Sequence, residues 1–116
     1  MILFAKRSKA AKTPIAVAIT GTGHKSRCYA TINGTKYTSA TTGIEVMSGD
    51  VIIFGVYGLK PTHPGIVRID GTDVLTVTNK LASTYDWNVP DGIASVSIKL
   101  SYDPYWGTGN ITVTTA

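Results

Sequence analysis

Ala94-Ser95-Val96-Ser97-Ile98-Lys99-Leu100-Ser101-Tyr102 carries an apolar side chain at every second position. A strand sends successive side chains to opposite faces, whereas a helix repeats every 3.6 residues. The segment therefore reads as a long β-strand with one face toward a core. The same period extends back along the chain. Ile15, Val17 and Ile19 share a face of one run, and Cys28, Ala30 and Ile32 share a face of another. Residues 51–57 are apolar on both faces, as expected of a central strand. Tyr85, Trp87 and Val89 alternate before Pro90-Asp91-Gly92, and Ile111 with Val113 forms the last run.

The breaks between runs are turn chemistry. Asn33-Gly34 and Asp70-Gly71 sit between apolar runs, and both residue types tolerate the positive φ that a two-residue hairpin turn requires. Ser48-Gly49-Asp50 is another turn, and residues 60–65 and 103–110 read as loops. Turn signals therefore recur every ~8–12 residues, the pattern of an antiparallel sandwich or barrel. The expected fold class is all-β, an antiparallel Ig-like β-sandwich of about 8–9 short strands. The Cys…Trp…Cys framework of antibody domains is absent, so an Ig-like fold would be so by architecture only. The 17 threonines suit a pleated, half-solvated surface. A faint echo links residues 31–37 (TINGTKY) to residues 68–74 (RIDGTDV). It fits either a duplication or two hairpins that look alike.

The chain has 116 residues, 43% of them hydrophobic and 16% charged, which suits one globular core and excludes a disordered chain. Net charge is +4, from 11 basic and 7 acidic residues. Lys6, Arg7, Lys9 and Lys12 precede residue 15 with no acid among them, leaving seven charges of each sign in the rest. The domain organisation expected is a basic N-terminal arm over 1–14 and a neutral β-sandwich over 15–116. The arm opens on Met1, Ile2, Leu3 and Phe4, with its charge after the apolar residues rather than before them. It is therefore not read as a secretory signal. Its short Ala/Lys stretch would be a marginal helix alone in water. No apolar run approaches the ~18 residues of a membrane-spanning helix.

Catalytic chemistry has no recognisable motif here. His24 and His63 are the only histidines, and Cys28 is the only cysteine, which excludes an internal disulfide and a cysteine zinc site. Gly21-Thr22-Gly23 lacks the remainder of a dinucleotide loop. Asp70 and Asp73 supply too few oxygens at that spacing for calcium and are read as turn residues. No enzyme activity, metal or cofactor is expected. Cys28 and Trp87 are read as core. Tyr105 and Trp106 fall outside the alternation, beside Pro104 and Gly107, and are read either as a plug over the core or as a platform that stacks on sugar rings.

Residues 28–39 (CYATINGTKYTS), 49–54 (GDVIIF) and 85–92 (YDWNVPDG) together resemble small Ig-like β-sandwich proteins encoded in phage and prophage structural modules. The resemblance spans about residues 15–115 and lies in hairpins and turns, so no functional residue is carried over. It implies a non-enzymatic virion component, such as a capsid decoration protein or a head or tail accessory protein, made in the host cytoplasm. In that setting the arm, Ile2, Leu3 and Phe4 with Lys6, Arg7, Lys9 and Lys12, would grip capsid or tail subunits, and a homo-oligomer or lattice-bound protein is expected. The alternative is a carbohydrate-binding module that meets host-surface glycans through Tyr105 and Trp106. Nucleic acid ranks below both, because the body offers no clustered basic stripe, and no membrane partner is expected.

Overall fold

The computed structural model describes residues 14–105 and 107–116. The expectations placed on residues 1–13 and on Trp106 lie outside these described residues. The chain forms β1 (Ile15–Thr22), β2 (Cys28–Ile32), β3 (Thr35–Tyr37), β4 (Ser39–Val46), β5 (Val51–Gly58), β6 (Gly65–Ile69), β7 (Thr72–Val77), β8 (Leu81–Asn88), β9 (Ala94–Asp103) and β10 (Gly107–Thr115). There is no helix among the described residues. Ten strands replace the expected eight to nine, and Ser39 belongs to β4 rather than to the return from the first hairpin.

Every pairing is antiparallel. A six-stranded sheet runs β4-β1-β10-β9-β6-β7, and a four-stranded sheet runs β3-β2-β5-β8. Their inner faces pack together, with β5 lying over β9 and β6. The core is the set of alternating apolar positions: Val17 and Ile19 from β1, Ala30 and Ile32 from β2, Ile52, Phe54 and Val56 from β5, and Val96, Ile98 and Leu100 from β9. The Phe54 and Trp87 rings meet within it, 6.0 Å apart and tilted by 43°. Cys28 is fully buried and its Sγ donates to the Ile98 carbonyl at 3.4 Å. Removal from water pushes its thiol up to about 12, so it is an inert core residue.

Both hairpin turns form as read. Asn33 and Gly34 have φ of 51° and 80°, and Asp70 and Gly71 have 47° and 86°. Such positive angles match the right-handed twist of the flanking strands. The echo between these hairpins extends to topology. After β2–β3, β4 crosses to the other sheet and β5 returns beside β2. After β6–β7, β8 crosses to the other sheet and β9 returns beside β6. Each unit thus places a hairpin and its return strand in one sheet and lends one strand to the facing sheet.

Candidate functional site

Strand registers sort the loops into two ends. At one end lie residues 47–50 and 89–93, the two hairpin turns and Ile15, next to the first described residue, Pro14. These loops are laced by backbone bonds. Gly49 N–H donates to the Val89 carbonyl and Val89 N–H to the Asp50 carbonyl, both at 2.8 Å. The Asp70 carboxylate accepts the Ser95 N–H at 2.9 Å, which pins the second hairpin turn to the start of β9. With the backbone so satisfied, apolar side chains are left outside. Ile93 is 87% exposed, and Val51 and Met47 are exposed as well. This exit end is where the described chain begins. Sequence reading did not single out Ile93, although its place directly after Asp91-Gly92 and outside the β9 alternation is the signal for it.

The opposite end is the β9–β10 hairpin. Leu100 pairs with Gly109 and Asp103 with Gly107, so Ser101 and Tyr102 together oppose Thr108. This β-bulge reverses the alternation. Tyr102, expected on the inner face, is instead 40% exposed and packs on His63, with ring centroids 5.3 Å apart. Asp103 turns inward and is 1% exposed. Residues 103–110, expected as a loop, are a tight hairpin whose strands run to Asp103 and from Gly107.

Asp103 organises this end. Its Oδ2 lies 3.3 Å from Arg27 Nε, and the Arg27 guanidinium sits 4.4 Å over the Tyr57 ring. The Arg27 Nε contact is an ion pair without hydrogen-bond alignment. The other carboxylate oxygen accepts the Tyr105 N–H at 2.7 Å. A buried charge therefore fixes the turn backbone while the Tyr105 side chain is 83% exposed.

A shallow polar groove of about 690 Å³ leads from this hairpin across the outer face of the six-stranded sheet, lined by Thr22, Lys99, Ser101, Thr108 and Asn110 among others. Lys99 and Asn110 also line a second hollow of about 200 Å³ with Ser97, Thr112 and Arg68. Arg68 Nε donates to Asp73 Oδ1, and that hydrogen bond, with the carboxylate charge, raises the guanidinium above its ordinary range. The groove therefore offers hydroxyl, amide and ammonium groups, the donors that a polyhydroxylated ligand takes. Among the described residues, no three of His, Cys, Asp and Glu cluster as metal ligands. Pro14, where the described chain begins, and Tyr105 lie at opposite ends of the sandwich. In comparisons with known proteins, the chain matches no family model, no curated protein and no solved structure.

Proposed function

We propose that this protein is a non-enzymatic structural component of a phage virion, a capsid decoration or head or tail accessory protein with an Ig-like sandwich as its body. Residues 1–14 are its anchor to neighbouring subunits. The observation that carries the reading is the segregation of charge: four basic residues and no acid before residue 15, against a balanced body. Ile2, Leu3 and Phe4 would each contribute ~1.5–3 kcal/mol if fully buried in a groove on the host assembly. Lys6, Arg7, Lys9 and Lys12 would add steering and salt-sensitive affinity toward an acidic surface. Exposed Ile93 and Val51 at the same end extend the apolar area available to that contact. The test is deletion of residues 1–12. The expected product is a folded body that no longer joins particles, and undiminished incorporation rejects the arm as anchor.

A second reading is favoured by the hairpin end. Tyr105 is held outward by the Asp103 turn, beside a groove of hydroxyl and amide groups. With Trp106 it would form a stacking platform for a sugar ring, as in a surface carbohydrate-binding module. Tyr105→Ala and Trp106→Ala would then abolish glycan binding and leave particle incorporation intact. Absence of glycan binding by the unaltered protein rejects this reading.

A further inference from the structure

Four strands lie at sheet edges, and three of them are blunted. β3 has three residues. β4 pairs with β1 through two register shifts, and β7 pairs with β6 through one, at Val74. Short length and bulges are the usual means by which an edge is kept from pairing with another chain. β8 has neither. Its eight residues pair with β5 from Leu81↔Gly58 to Asn88↔Val51 without a shift, and it contains no proline and no lysine. Among the described residues it pairs only with β5. Every second residue of β8 therefore turns its N–H and C=O away from β5, toward a side where no described strand pairs.

We propose that β8 is a self-association edge, through which two copies of this chain join their four-stranded sheets into one continuous antiparallel sheet of eight. The side chains of residues 80–88 suit a two-fold axis centred on Ser83. That register sets Leu81, which is 51% exposed, opposite Tyr85 of the second copy, which is only half-buried in one copy alone. Both residues lie on the same row of the sheet. The segment holds one acid within the strand, Asp86, and one base at its entry, Lys80, whose φ of 61° turns the chain into β8; the same register brings the entry of each copy near Asp86 of the other. A two-fold interface uses every such contact twice. The proposal is argued from β8 alone and does not depend on the virion reading.

The experiment is sedimentation velocity on the full chain at concentrations up to about 1 mM. The expected result is a dimer. Lys80→Glu and Asp86→Lys should each weaken it about tenfold by replacing two attractive contacts with two repulsive ones. The double variant should return to near the original affinity, because reversal of both charges restores the pairing. Thr84→Pro, which removes an amide from the edge strand, should be monomeric. A monomer at all concentrations, or a dimer indifferent to both charge reversals, overturns the proposal. Dimerisation that appears only after deletion of residues 1–12 also overturns it, since the edge would then belong to the chain's own arm. A dimer that persists while that deletion abolishes particle incorporation separates the edge from the anchor.

Discussion

The exit end and the hairpin end close the same core by different means. At the exit end, turns with positive φ and backbone hydrogen bonds do the closing, and apolar side chains such as Ile93 remain outside. At the hairpin end, a buried carboxylate, a guanidinium and the Tyr57 ring do the closing, over a bulge. Turn chemistry is local, with each turn costing or saving about 1 kcal/mol by itself. A buried ion pair is cooperative, because removal of one member strands the other. The hairpin end should therefore be the fragile one, and the exit end the one free to vary its surface.

The largest expected effect tests that contrast. Asp103→Ala should destabilise the fold by about 2–3 kcal/mol, below the range for a fully buried pair because Arg27 keeps some contact with water. Arg27→Met with Asp103→Leu should recover most of the loss in urea denaturation. Equal costs for Asp103→Ala and the double replacement would remove the cooperative character claimed for that end.

Next comes a pH dependence confined to the core near the hairpin end. Cys28 ordinarily titrates at 9.0 and is raised to about 12 by burial. Because the folded thiol keeps its proton to higher pH, its contribution is complete below pH 9. It is lost progressively as pH rises toward 12, at up to about 1.4 kcal/mol per unit. Cys28→Ala should flatten that limb of a stability-against-pH curve, and an unchanged slope would contradict the assignment.

Asn33→Ala at the exit end should cost about 1 kcal/mol, since alanine resists the φ of 51° there. Its thermal midpoint should fall accordingly. The smallest effect on folding belongs to Ile93→Ser, within about 0.5 kcal/mol because the side chain is almost wholly exposed. In an attachment assay the same variant should weaken particle binding if the exit end is the gripping one.

The same contrast explains what the sequence could and could not reveal. Period-two runs and the Asn33-Gly34 and Asp70-Gly71 turns are local signals, and they located the core strands and both hairpins. The first halves of β4 and β8 carry no local signal because both of their faces are largely exposed, so Ser39-Ala40-Thr41-Thr42 and Ala82-Ser83-Thr84 show no alternation. Residues 103–110 look like a loop in sequence because the order of this hairpin comes from Arg27, which lies far from Asp103 in the chain and close in space. Tyr105 was visible as a candidate by its neighbours Pro104 and Gly107, whereas the polar groove needs residues from β1, β6, β9 and β10 together.

The central claim is that the grip lies in residues 1–14 and reaches another molecule. Cross-linking of assembled particles with an amine-reactive reagent, read by mass spectrometry, tests it through Lys6, Lys9 and Lys12. The account predicts links from these lysines to a different virion polypeptide. Links running only to the lysines of the same chain's sandwich would contradict it.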